Sequence, residues 1–303
     1  MDIITTRELC KTYGGKLVIN HVNMHIPENS IYGFVGENGS GKTTIMRLLT
    51  GLAEPTSGTF SLFGIDSKDK RIYEQRRKIS AIVEATSLIP SMTARDNMIY
   101  QELYLGIKQT DEQRQELLNR VHLGDVGNKK VKNYSLGMRQ RLGIAMALMN
   151  HHKLMLLDEP MNGLDPEGIA ELRDLLIELN QKEGISVLIS SHILSELEKI
   201  ASCYGFISKG RLIEEITAEE LQSRCRKSVT IKVDDLIKAE AVIKGLNVND
   251  YKAYPNGEIK IYDNVAINNL ITALSEKSVN VLGINSADES VEEYYLNLIK
   301  EGE

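Results

Sequence analysis

The segment Gly36-Glu37-Asn38-Gly39-Ser40-Gly41-Lys42-Thr43-Thr44 concentrates residue types that can hold a phosphate chain. Its glycines open backbone angles closed to other residues, so successive N–H groups can turn inward around phosphate oxygens. Lys42 adds a point charge that reaches the terminal phosphates, and the Thr43 hydroxyl is a ligand for Mg2+. A β-forming run, Ser30–Val35, leads into the loop, and Ile45, Met46, Leu48 and Leu49 recur at helical spacing after it. That setting suits the chemistry, because a helix beginning at the loop points its positive end at the anion.

Binding alone is not a reaction. Leu154-Met155-Leu156-Leu157-Asp158-Glu159 supplies one: four apolar residues, then two acids. An apolar strand of this kind sits centrally in a sheet, so its acids emerge at its carboxyl end beside the phosphates. Asp158 is placed to hold Mg2+ through water. Glu159 is placed to orient or deprotonate an attacking water. Together the two segments point to hydrolysis of a nucleoside triphosphate.

These residues must be positioned by a scaffold, and the rest of the chain describes one. Apolar runs at Leu17–Ile26, Ser30–Val35, Leu154–Leu157 and Val187–Ser190 read as strands, with a helical pattern at Pro166–Asn180. Strands alternating with helices imply an α/β fold with a mainly parallel sheet covered on both faces. From about 90 to 152 the chain is polar and helical, with an amphipathic stretch at Asp111–Val121, which marks a helical subdomain. Beyond residue 222 the texture changes. Strand-like Ser228–Val233, Glu258–Tyr262 and Asn280–Ile284 alternate with helical Ala239–Leu246 and Asn264–Ser275, and a helix at Ser290–Lys300 follows. This βαββαβ-like order predicts a small α+β domain over 226–303, beside a larger domain over 1–222.

Composition narrows the class. Of 303 residues, 42% are hydrophobic and 26% charged, enough to pack a core without staples. The net charge of −6 argues against a nucleic-acid partner, which calls for a concentrated basic stripe. Cys10, Cys203 and Cys225 are odd in number and far apart, so they read as free thiols rather than disulfides or zinc ligands. No basic start followed by an apolar run opens the sequence. No stretch nears the roughly 18 apolar residues of a membrane-spanning helix. The expected location is therefore cytoplasmic.

With the two nucleotide segments in place, further motifs carry a family resemblance. Tyr134-Ser135-Leu136-Gly137-Met138-Arg139-Gln140-Arg141 resembles the signature of ATP-binding cassette (ABC) ATPases. Pro160-Met161-Asn162-Gly163-Leu164-Asp165 is similar to that family's D-loop, and Leu188-Ile189-Ser190-Ser191-His192 to the strand carrying its H-loop histidine. The resemblance covers about residues 1–222. It implies that Tyr13 stacks on adenine and that His192 contacts the γ-phosphate. It also implies that Asp165 joins the residues around the nucleotide. Ser135 and the backbone N–H of Gly137 would reach ATP held by a second copy, so the resemblance implies a homodimer enclosing two ATP molecules and Mg2+. An integral-membrane transporter subunit would be worked by its closure, with this chain peripheral on the inner face of the membrane.

Three positions depart from the common pattern. Leu136 and Met138 replace a glycine and a glutamine of the signature. Glu84, after Ile82-Val83, stands where most of the family carries glutamine near Mg2+. With Ala85-Thr86-Ser87-Leu88-Ile89-Pro90 behind it, this is similar to the "E-loop" of bacitracin- and lantibiotic-type exporter ATPases. The resemblance then implies export of a peptide antibiotic or similar amphiphile. Val291-Glu292-Glu293-Tyr294-Tyr295-Leu296 resembles the closing helix of an accessory domain in such exporters. A competing expectation is a soluble ABC ATPase acting on a ribosome or DNA complex. Such translation factors usually carry two cassettes, and genome-maintenance members carry long coiled coils; this chain has one cassette and no sustained heptads.

Overall fold

The computed structural model describes residues 1–84, 87–150, 152–192, 194–225, 227–246, 248–263, 265–288 and 291–301. Ala85 and Thr86 after Glu84, Asn264 and Ser290 at two expected helix starts, and the expected domain limits 226 and 303 lie outside the described residues. The chain forms two compact units, Met1–Ala218 and Glu219–Lys300.

In the first unit β1 (Asp2–Tyr13), β2 (Lys16–Val22) and β3 (His25–Pro27) precede β4 (Ile31–Val35) and α1 (Lys42–Thr50). The run expected as one strand over Leu17–Ile26 is two. The interruption falls at Asn23 and Met24, and β2 and β3 each pair with β1. Next come β5 (Ser57–Leu62), β6 (Ile65–Asp66), α2 (Ile72–Arg76) and β7 (Ile79–Ile82). Helices α3 (Ala94–Leu105), α4 (Asp111–Arg120) and α5 (Leu136–Ala147) fill the polar middle. The unit then runs through β8 (Leu154–Asp158), α6 (Pro166–Glu183), β9 (Ser186–Ser191), α7 (Leu194–Leu197), β10 (Cys203–Ser208) and β11 (Arg211–Thr217).

Two sheets result. One runs β2-β1-β5-β6 with β3 on β1. The other runs β11-β10-β4-β9-β8-β7, parallel throughout except for β11. Every residue of β4 and β9 is buried, as are Leu154–Leu157 of β8. This explains their unbroken apolar runs: strands covered on both faces do not alternate. Register aligns the carboxyl ends. Val35 is opposite Ser191, Asp158 opposite Ser190, and Ile82 opposite Leu157. The segments that follow these strands therefore emerge along one edge of the sheet.

The helices are set by their caps. Thr93 and Asp96 cap α3 reciprocally, as Thr110 and Gln113 cap α4. Between these helices the buried Arg114 guanidinium donates to both carboxylate oxygens of Glu102, at 2.6 and 2.9 Å.

After α8 (Ala218–Arg224), the second unit contains β12 (Lys227–Val233), α9 (Leu236–Gly245), β13 (Tyr251–Ala253), β14 (Glu258–Ile261), α10 (Ile267–Glu276), β15 (Val281–Asp288) and α11 (Val291–Glu301). Its antiparallel sheet runs β13-β14-β12-β15. β13, only three residues long, supplies the strand between α9 and β14. α9 begins three residues before the expected start because Asp235 caps it, accepting from the Lys238 N–H at 3.1 Å. Ile231, Ile259 and Ile261 pack with Ile243, Leu270 and Leu274 into a core of the unit's own.

Candidate active site

The loop between β4 and α1 is a tight cradle. A Cβ on Gly36 would stand 2.5 Å from both the Ile207 carbonyl and Ser40 Oγ, so only glycine fits. Gly41, the N-cap of α1, has a φ of 116°, and a Cβ there would stand 2.5 Å from Ile19 Cδ1. Asn38 and Gly39 lie at the exposed tip, while Thr43 and Thr44 open α1. Ser40 Oγ is buried without a hydrogen-bond partner among the described residues. A buried hydroxyl left unpaired is costly, and a phosphate oxygen would satisfy it.

Lys42 is buried, and its ammonium donates to the carbonyls of Gly36 at 2.6 Å and Glu37 at 3.3 Å. The same ammonium stands 3.2 Å from Glu159 Oε1. Glu159 Oε2 lies 2.7 Å from His192 Nδ1. The carboxylate expected to handle water is thus held between the cradle lysine and the histidine after β9.

Asp158 completes the cluster. Its Oδ2 accepts from the Thr43 hydroxyl at 2.7 Å, and its Oδ1 accepts from the Ser190 hydroxyl at 2.7 Å. Ser190 Oγ also accepts from the Glu159 N–H at 2.9 Å. One hydroxyl on the neighbouring strand therefore fixes both acids. Glu159 turns away from the strand with a φ of 51°, which aims its side chain toward the cradle. This role of Ser190 escapes the sequence reading; the signal is a hydroxyl at the register position beside an Asp-Glu strand end.

Among the described residues no three His, Cys, Asp or Glu side chains form a metal cage. Mg2+ in a triphosphate site needs none, since it keeps waters and binds one or two protein groups plus phosphate oxygens. Thr43 and Asp158, already in contact, fit that role. Glu84 is placed differently. Its carboxylate is exposed and paired with the Arg47 guanidinium on α1, although Glu84 also lines a groove of about 470 Å3 with Asp158 and Glu159.

Tyr13 ends β1 and is 42% exposed, and Lys11 Nζ lies 4.8 Å from the ring centroid. A half-open aromatic face is available for stacking.

Ser135, Gly137 and Asp165 are brought together in a groove whose lining does not include Lys42. Ser135 caps α5, accepting from the Met138 N–H at 3.2 Å, and Asp165 caps α6, accepting from the Gly168 N–H at 3.0 Å. A Cβ on Gly137 would stand 3.1 Å from Leu164, and one on Gly163 would stand 2.7 Å from Leu136. The two loops thus pack on one another and line a separate groove of about 400 Å3 with Arg141 and Glu171.

Comparison with known proteins places this arrangement. Residues 19–162 match the ABC transporter family. The chain is similar to the bacitracin transport ATP-binding protein BcrA of Bacillus licheniformis, 39% identical over 99% of this chain and 98% of that protein. It is also similar to the lantibiotic transport ATP-binding protein SrtF of Streptococcus pyogenes, 45% identical over 70% of this chain and 90% of that one. Among solved structures, the dimeric ATP-binding cassette MJ0796 in a post-hydrolysis state with ADP and Pi aligns with a TM-score of 0.64 and 26% identity. That alignment covers 71% of this chain and 98% of that one. With a phosphate cradle, two strand-end acids and a histidine in one cluster, and with relatives matched along its whole length, the chain belongs to the ABC transporter family as an ATP-binding and ATP-hydrolysing subunit.

Proposed function

We propose that this chain drives export of a peptide antibiotic or similar amphiphile by closing as a homodimer on two ATP molecules beneath a membrane subunit. The observation that carries the dimer is that the two halves of the site are built from different residues, in different contacts. Ser135 and Gly137 line one groove, while Lys42, Thr43, Asp158, Glu159 and His192 form another cluster. A second copy, related by a two-fold axis, brings each groove to the other's γ-phosphate. Ser135 Oγ and the Gly137 N–H then act as donors in trans, beside Asp165. The names of the two curated relatives support the class of cargo.

In each half-site Lys42 exchanges its loop carbonyls for the β- and γ-phosphates, and Ser40 gains its missing partner. Thr43 and Asp158 would hold Mg2+, which would supply charge neutralisation on the phosphates. Glu159 orients the attacking water and takes its proton, and His192 holds Glu159 and the γ-phosphate. Tyr13 stacks on adenine. Glu84 sits on the metal side. The nucleotide residues belong to a domain over 1–222, and 226–303 forms an accessory domain.

Among the described residues no helix is long and apolar enough to cross a membrane. Transport therefore rests on a partner that spans one, with this chain peripheral on the cytoplasmic face. Purification of the native complex through this chain, followed by mass spectrometry, is expected to identify one polytopic membrane protein. Recovery of ribosomal proteins or DNA in its place would refute the reading.

A further inference from the structure

Glu84 poses a problem that a glutamine would not. A carboxylate beside the cradle attracts Mg2+ but repels the triphosphate. The structure contains a counter-charge for it. The Arg47 guanidinium pairs with Glu84 Oε1. Arg47 lies four residues after Thr43, so the two share one face of α1, about one turn apart. The same carboxylate therefore has two destinations: Arg47, or the metal position at Thr43 and Asp158, whose groove Glu84 also lines. Glu84 has a φ of 70°, a left-handed conformation uncommon outside glycine, which sets the direction of its side chain.

We propose that Arg47 is a positioning residue that holds Glu84 off the metal position before nucleotide arrives and competes with Mg2+ for its carboxylate. This rests on the reading of Glu84 as a metal-side residue. The pairing masks the extra negative charge while the triphosphate enters, and Glu84 would leave Arg47 for the metal side once Mg2+ is bound. The Glu84 carboxylate is the main influence raising the Arg47 pKa, and Tyr13 adds to it. Arg47 thus answers to the proposed adenine residue as well as to the metal-side one.

Two opposite effects follow from removing the Arg47 charge. Without Mg2+, an unmasked Glu84 repels the triphosphate, so nucleotide binds less well. With Mg2+ titrated in, Glu84 is already released, so less metal is needed. Both groups are partly exposed, and an exposed ion pair of this kind changes an equilibrium by about 1.5- to 5-fold. Both effects weaken at high salt.

The test is equilibrium dialysis of the non-hydrolysable analogue AMP-PNP, in EDTA and at graded Mg2+, with the full chain. Arg47→Gln should raise Kd in EDTA and lower the half-saturating Mg2+, each by about 1.5- to 5-fold. Arg47→Lys should restore the EDTA value. In a Glu84→Gln background both shifts should vanish. Shifts of equal size with and without Glu84, or no shift in a variant whose thermal unfolding is unchanged, overturn the proposal. If Glu84→Gln alone leaves the Mg2+ requirement untouched, the metal-side reading of Glu84 itself fails. If that variant responds and Arg47→Gln does not, only the role of Arg47 fails.

Discussion

Glu159 Oε2 lies 2.7 Å from His192 Nδ1, although one residue follows β8 and the other follows β9. The contact exists because β8 and β9 are parallel neighbours in register, Asp158 opposite Ser190, so both strands end at the same level. Lys42 approaches the other carboxylate oxygen. Glu159 is therefore oriented through both of its carboxylate oxygens, as its proposed role as a positioned general base requires.

Glu159→Gln tests that role. The amide keeps the shape but cannot take a proton. Turnover should fall by about 10²- to 10⁴-fold with ATP binding preserved. Unhydrolysed nucleotide should also hold two copies together. Size-exclusion chromatography in Mg-ATP is expected to show the variant as a dimer and the unmodified chain largely as a monomer. Near-normal hydrolysis would remove Glu159 from the reaction.

Ser190→Ala should be felt at both acids. It strips the hydroxyl from Asp158 and leaves the Glu159 N–H without its acceptor. Groups that orient a metal-side or catalytic residue typically change activity by about 10- to 100-fold when lost. The expected result is a lower kcat with the Kd for ATP in EDTA nearly unchanged, since Ser190 does not touch the cradle. A loss confined to EDTA binding would contradict this.

The two compact units have separate cores, so a chain ending at Arg224 should retain the nucleotide half-site. Isothermal titration of the truncated chain is expected to give an ATP affinity close to that of the whole chain. A cooperative thermal transition would establish that the fragment is folded. A folded fragment that has lost ATP binding would mean that the second unit completes the site.

The legible part of the site was the part written contiguously. Gly36–Thr44 and Asp158–Glu159 each carry their chemistry within a few neighbouring residues, and buried parallel strands announce themselves as apolar runs. What stayed hidden depends on pairing across strands and helices. Ser190 acts through sheet register, and Arg47 acts by reaching a loop far along the chain. Glu102 and Arg114 lie on different helices, and neither looks unusual in a polar stretch. β1 was missed because its burial does not alternate, and β13 because three residues are too few to show a period. The register shift at His21 within β2 was invisible for another reason: a positive φ at a residue other than glycine leaves no compositional mark.

The Glu102–Arg114 pair gives the acid side of stability. Both side chains are largely buried, and the Arg114 guanidinium's hydrogen bonds hold the Glu102 carboxyl below its ordinary value of 4.5. A group whose pKa is depressed by folding stabilises the native state above its unfolded pKa. That contribution is lost as pH falls through the lower, folded value. Glu102→Gln keeps an oxygen for Arg114 but removes the charge, and it should cost up to about 1.5–3 kcal/mol at neutral pH, the range for hydrogen bonds to a charged group. Arg114 retains Asp111 at 2.5 Å, which limits the loss. The two proteins should therefore differ most in Tm at pH 7, begin to converge as pH falls below 4.5, and meet only once pH has passed below the lower native value. Thermal unfolding followed by circular dichroism from pH 7 down to pH 3 measures this directly. Curves that stay parallel across the acid range would mean that Glu102 holds α3 against α4 by packing, and that its charge contributes nothing.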